Sequence, residues 1–434
     1  MNKEKVVIIA GGAFSFKYPQ WVHLLKERSY KILSIDDNNS NINDIITLYR
    51  SANADFINNI EEFSLLSPEN LIGILNQIKI WGDKYEICAA ISIIESFVTP
   101  IAWICEKLNL PGCGMKAAMI CRDKMLQRNF LPEFSPGFTA TTKKKLREEY
   151  KVDYPFVIKP TTRSGSSGVQ LISNNEELKY CLNQYAEDEC LLLEDFIQGN
   201  EYSVESAVID GKVKVVNITE QTNGEKTAQF VEMGHTVPAI NLSDSLKKKL
   251  ININQTIIEK LSFKNGITHG EFKIDNNNNI YLMEMAARGA GDMILFLFHL
   301  STERSFEDLA ISIALNETIN SNISYHRCAK QVFISPTSGF LGDVTLTESD
   351  KPVLFLKDGK CRAPGLPEYD TNHENNLIEV VIGKLRGSMM APDVSESKGR
   401  LGYFVVTSEN ATDIHPFAER IRQSINIIHG PPLA

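Results

Sequence analysis

Long apolar runs are missing from this sequence. The first, VVIIA at residues 6–10, is shorter than a signal-peptide core and far shorter than a membrane span, so a cytoplasmic protein is expected. Positive charge is also in short supply: 45 Lys and Arg stand against 54 Asp and Glu, a net charge of -9. That removes any general attraction for nucleic acid or an anionic membrane, and any anionic ligand must be held locally. Cysteines number eight in 434 residues, and Cys88, Cys105, Cys113, Cys121, Cys181, Cys190, Cys328 and Cys361 contain no C-x-x-C pair. A chain of this size needs no disulfide framework, and the thiols are expected to be reduced and mostly buried. Two nucleotide fingerprints are absent as well. Gly11 and Gly12 end the first strand without G-x-G-x-x-G, and no G-K-[ST] follows the later glycine-rich loop.

What is present is globular: 43% hydrophobic and 23% charged residues, in a chain long enough for two or three domains. KVVIIAGG, a helix through YPQWVHLLKERSY and the strand KILSIDD make a βαβ opening. Pro111, Gly112 and Gly114 mark a boundary, so a first α/β domain is expected over 1–114. An α+β domain over 115–324 follows, with helices in SLKKKLININQTIIEKLSF and over 303–315. Short strands then recur through a β-rich segment, 325–434, which closes on the helix HPFAERIRQSINII.

GEFKID and IYLMEMA read as antiparallel strands joined by four asparagines. Pairing Asp275 with Ile280 puts Lys273 opposite Leu282 and Glu271 opposite Glu284, with two like charges facing across the ladder. Such a pair is tolerated when a cation lies between them, and hard oxygen ligands favour Mg²⁺ with phosphate oxygens completing its shell. In YPFVIKPTTRSGSSGVQLI, Lys159 ends a strand. The loop Ser164, Gly165, Ser166, Ser167 and Gly168 then lets backbone N–H groups approach phosphates. In LLLEDFIQGNEYSVE, acids lie at the edge of an apolar strand, a surface suited to a purine and its ribose hydroxyls.

Taken in order, RDKMLQRNFLP, PFVIKP with its Gly/Ser loop, LLEDFIQGNEYSVE, HGEFKID and YLMEMAARGAG resemble the ATP-grasp superfamily. The resemblance implies an N-terminal Rossmann-like domain, a central ATP-grasp domain with a lid subdomain at about 150–195, and a β-rich C-terminal segment completing the core. It implies that Lys124 and Lys159 bind ATP phosphates under a lid loop from Thr161 to Gly168. Glu194 and the backbone of Asp195, Phe196 and Ile197 would read adenine, and Glu201 would hold ribose. Glu271 and Glu284 would coordinate Mg²⁺, with Mn²⁺ as an alternative ion, and Arg288 would neutralise the reacting carboxylate. The family often has Asn where this chain has Ala286, so that ligand is missing here. EMAARGAGDM and RLGYFVVTSENAT resemble the branch of bacterial amino-acid ligases that make dipeptides and related amides.

The expectation is thus a ligase joining a small-molecule carboxylate to an amine through an acylphosphate, with ADP and phosphate released. Biotin-carboxylase-like and glycinamide-ribonucleotide-synthetase-like ligases, or a non-catalytic ATP-binding regulator, stand as alternatives. His269, on the face of Glu271 by strand alternation, would orient a substrate carboxylate or accept the amine proton. Glu232 and His235 in VEMGHTVPA, and Asp292 after the RGAG turn, are candidates for the acceptor pocket. A homodimer is the commonest assembly for such a chain.

Overall fold

The computed structural model describes residues 3–432 except Asn39, 150–152, Ser164, 224–229, Cys361, Thr371, Asp393 and Ser395. The N-terminal region forms a parallel four-stranded sheet in the order Ile60–Leu65, Lys31–Asp36, Glu4–Ala10, Tyr85–Ser92. The first of these to form in sequence, EKVVIIA, is buried from Val6 to Ala10 because helices cover both faces of the sheet. Helix Gln20–Glu27 and the Ala89 side of the sheet join the core formed with the later helices. Trp81 and Ile104 close the opposite face.

A smaller four-stranded sheet runs in the order Phe138–Thr142, Cys190–Asp195, Phe156–Pro160, Gln170–Ile172. It takes in FTATT, which pairs with CLLLED and lies ahead of the stretch of about 150–195 expected to form a lid. Phe156, Ile158, Leu178 and Leu191 give it a core of its own.

The centre of the molecule is a nine-stranded sheet. Its order is Ile280–Ala286, Gly266–Asp275, Gly199–Ile209, Lys212–Asn223, Glu232–Val237, Cys328–Ile334, Gly402–Ser408, Asn375–Ile382, Val353–Phe355. The last four strands come from beyond residue 324, so the β-rich segment extends the sheet of the preceding domain. Helix Asp244–Leu261 starts at Ser243, whose hydroxyl accepts from the N–H of Leu246. The helix packs Leu250, Ile257 and Leu261 on one face of the sheet, against Val204, Phe272 and Leu282. The other face carries the apolar helix Ile294–Thr302 over its middle and an open cavity beside it. The sequence expectation of a helix through SINII needs correction. The helix stops at Ser424, and Ile425–His429 pairs with Gly339–Leu346 as a strand, where β-branched residues pack better.

Candidate active site

The cavity face of the sheet is organised in three neighbouring rungs, since alternate residues of a strand share a face. One rung runs from Lys273 through Glu201, Gln221 and His235 to Gln331. The next runs from Glu284 through Glu271 and Ser203 to Thr219. A third runs from Ala286 through His269 and Glu205 to Asn217. The register of local β-pairing therefore brings together residues from six strands, and a cavity of about 310 Å³ lies over them.

Glu271 and Glu284 face each other across the hairpin, as expected, but by a different path. Asp275 pairs with Asn279, not Ile280. Its carboxylate accepts from the N–H of Asn277 and of Asn279 and from the Asn279 amide, which tightens the turn. The far half of the hairpin is consequently shifted by one, with Lys273 opposite Tyr281 and Phe272 opposite Leu282. A β-bulge at Met283 restores the Glu271–Glu284 pairing. It turns Leu282 and Met285 to the core and Glu284 to the cavity. Arg128 secures the bulge by donating to the Met283 carbonyl at 2.6 Å.

Each of the two acids already has a cation. Lys124 Nζ is 3.0 Å from Glu284, and His269 Nε2 donates to Glu271 at 3.3 Å. His269 Nδ1 donates to Glu205 at 2.9 Å, and Glu205 also accepts from Ser203, Asn217 and Thr219. Burial alone would lower the imidazole pKa, but Glu205 and Glu271 outweigh it and push it up to about 10. His269 is thus tied to Glu205 and Glu271 at once, which fixes its ring beside the hairpin acids. Among the described residues no group of three or more His, Cys, Asp or Glu gathers into a metal cage. The Ala286 position opposite His269 supplies no oxygen. The residues that do fit a divalent ion are the partly exposed Glu271 and Glu284, as at sites where nucleotide phosphates supply the other ligands.

Lys159 and Glu194 lie deeper. Glu194 is buried between Lys159 Nζ at 2.7 Å and Arg128 Nε at 2.7 Å. Its carboxylate thus holds two cations at the wall of the cavity. Burial resists its charge, yet Lys159 and Arg128 prevail and hold its pKa below the usual range. Burial lowers the Lys159 pKa to about 8 against the opposing pull of Glu194. The adjoining Asp195–Phe196–Ile197 backbone borders the cavity, with Asp195 exposed and its N–H donating to Gly137. Lys273 binds Glu201 at 2.7 Å and lies over the rings of Phe196 and Phe230.

The glycine-rich loop bends through left-handed conformations at Gly165, Ser166 and Gly168. Ser166 Oγ donates to the Phe230 carbonyl, Lys124 Nζ donates to the Arg163 carbonyl, and Gly168 accepts from the Tyr185 hydroxyl. A Cβ added at Gly165 would stand 4.0 Å from Ser397 of the C-terminal segment. Ser167 completes the loop, and Ser164 lies outside the described residues.

At the other end of the cavity, Arg288 is held by Glu95 of the N-terminal domain, which also meets Arg122. Glu232 and Asp292 share Arg400: Nη2 is 3.0 Å from Glu232 and Nη1 is 2.8 Å from Asp292, with the guanidinium over Phe333. Burial, with Glu271 and Asp292 nearby, pushes the Glu232 pKa up to about 8. Asp292 moves the other way. Burial opposes its charge, but His235 and Arg400 hold it well below the usual carboxylate range. His235 is buried 3.9 Å from Asp292, and neither ring nitrogen has a hydrogen-bond partner among the described residues. All of the candidates within the described residues except Ser167 and Gly168 thus border one cavity. Sequence reasoning missed Glu95, Arg128, Glu205, Lys273 and Arg400. Arg128 had a signal, four residues after Lys124 on one helix, and Glu205 and Lys273 continue the alternation of Glu201 and Glu271.

The ATP-grasp domain family matches residues 152–295. Alanine–anticapsin ligase of Bacillus subtilis (strain 168) is 28% identical over 227 residues, 45% of this chain and 47% of that protein. The enzyme of the same name from Bacillus amyloliquefaciens is 27% identical over 48% of this chain and 50% of its own length. The chain spans about half the length of these curated relatives. In structure it is similar to L-amino acid ligase from Bacillus licheniformis, with a TM-score of 0.75 at 18% identity over 99% of this chain and 100% of that one. Phosphoribosylglycinamide synthetase from Anaerococcus prevotii gives a TM-score of 0.68 at 18% identity over the same shares. Residues 152–295 thus match the ATP-grasp domain family, and the sequence similarity around them runs to amino-acid ligases. Among the described residues no helix is long and apolar enough to cross a membrane.

Proposed function

We propose that this protein is an ATP-dependent ligase that activates a carboxylate as an acylphosphate and couples it to an amine, with an amino acid among the substrates. The observation that carries the reading is the opposition of Glu271 and Glu284 on one rung, within a cavity that also holds Lys124, Lys159 and Arg288. Lys124 and Lys159 would bind the phosphates of ATP, the Phe196–Ile197 backbone would border adenine, and Glu201 would hold ribose. Glu271 and Glu284 would hold Mg²⁺, which when bound neutralises phosphate charge and polarises the transferring group.

A carboxylate cannot be displaced by an amine directly, because oxide would have to leave; phosphorylation makes the leaving group phosphate. Lys124 and Lys159 stabilise negative charge during the in-line transfer. The lid, tied to Phe230 through Ser166, keeps water from the acylphosphate. Arg288 then suits the donor carboxylate and the oxyanion formed when the amine attacks. Glu232, His235 and Asp292 face the acceptor end. A phosphate-release screen over pairs of amino acids, with mass spectrometry of products, tests this. ADP and phosphate should appear only when both a carboxylate and an amine are present; AMP and pyrophosphate as the stoichiometric products would reject the route.

A further inference from the structure

A second cavity, of about 70 Å³, lies behind Arg288 in the seam between the N-terminal domain and the central sheet. Alanines meet there from several directions: Ala90 on the last N-terminal strand, Ala102 on the helix after it, Ala287 beyond the hairpin, and Ala310 and Ala314 on helix Phe306–Ala314. Protein interiors are normally packed to the density of organic crystals. Here small side chains leave a space several times what one water requires, with few polar groups to hold water in it. Among the described residues Arg288 alone borders both this cavity and the larger one. Its Nε is taken by Glu95 and its Nη1 by the Gly289 carbonyl, while Nη2 has no protein partner among those residues.

Resting on the ligase reading, we propose that this seam is the side-chain pocket of the donor. The ligand is an aliphatic amino acid or other short-chain carboxylate, its carboxylate on Arg288 and its branched alkyl group between Ala102, Ala287 and Ala310. The pocket selects by volume and apolar contact, and it excludes donors with charged side chains because nothing there would solvate them.

Two measurements test this. In the phosphate-release assay with ATP, valine or leucine as donor should give higher kcat/KM than glutamate or lysine. Ala310→Leu should shift the leucine-to-alanine ratio of kcat/KM at least about tenfold toward alanine, since a misfit of one methylene commonly costs that much. Equal use of charged donors, or an unchanged ratio, overturns the pocket. Calorimetric binding of free leucine to the full chain separates the two readings. Leucine bound by the unaltered protein and lost in both Ala310→Leu and Arg288→Ala supports the pocket, even if no pair of substrates releases phosphate; the ligase reading would then be what fails. No leucine binding, whatever the phosphate assay gives, overturns the pocket. Should Ala310→Leu not fold, Ala314→Val supplies the same comparison.

Discussion

Lys159 illustrates how one side chain can be both buried and useful. Its ammonium lies on Glu194 at 2.7 Å, and burial lowers its pKa to about 8. Below that pH it is charged and can meet a phosphate; above it the charge is progressively lost. Nucleotide binding to the free protein should therefore weaken as pH rises through about 8, and Lys159→Met should remove that inflection. A nucleotide affinity flat from pH 7 to 9 in the unaltered protein would contradict the assignment. Arg288→Ala and Glu284→Gln should each lower kcat by about a hundredfold or more, the usual scale for losing a group that stabilises transition-state charge. Unchanged turnover in either variant would dissociate that residue from the chemistry. Such residues were legible in sequence because their neighbours are local: acids at the ends of a hairpin, a lysine closing a strand. Glu95 and Arg400 were not, since each reaches the cavity only through the packing of segments far away in the chain.

The hairpin Gly266–Ala286 shows what an element adds to its residues. Strict alternation would leave Leu282 and Glu284 on the same face, one wanting the core and the other the cavity. The Met283 bulge resolves the conflict. The sequence pattern revealed the opposed acids but not the bulge, because the asparagine run allowed more than one turn and the Asp275 cap selected the tighter one. Deleting Met283 makes Glu284 follow Leu282 directly, so ordinary alternation should keep Leu282 on the core face and Glu284 on the cavity face opposite Glu271. Divalent-dependent ATP binding should therefore survive the deletion. Its loss in a folded variant would show that the bulge itself, with the Arg128 contact to its carbonyl, is needed to position Glu284. The strands around the glycine loop were legible; the strand at Phe138 that completes their sheet was not, because FTATT is short and half exposed.

The molecule as a whole is joined where the cavity is. The central sheet carries strands from both sides of the boundary expected at residue 324, and Arg400, from the far side of it, neutralises Glu232 and Asp292 together. Replacing it leaves Glu232 and the partly exposed Asp292 without their cation, and because solvent screens Asp292, Arg400→Ala should cost about 1–3 kcal/mol in denaturant unfolding, with Arg400→Lys recovering part of it. A loss under about 1 kcal/mol would mean that solvent already screens the pair. The alternating strands and helices announced the fold class, whereas the order in which nine strands assemble is a property of long-range packing that no single segment encodes. This interlocking bears on how the protein can be handled. A recombinant piece cut to residues 152–295 would retain Glu271 and Glu284 but forfeit Lys124, Glu95 and Arg400, together with the outer strands of the sheet. Dissection would thus yield an acid-lined remnant, and screening for substrates calls for the undivided polypeptide.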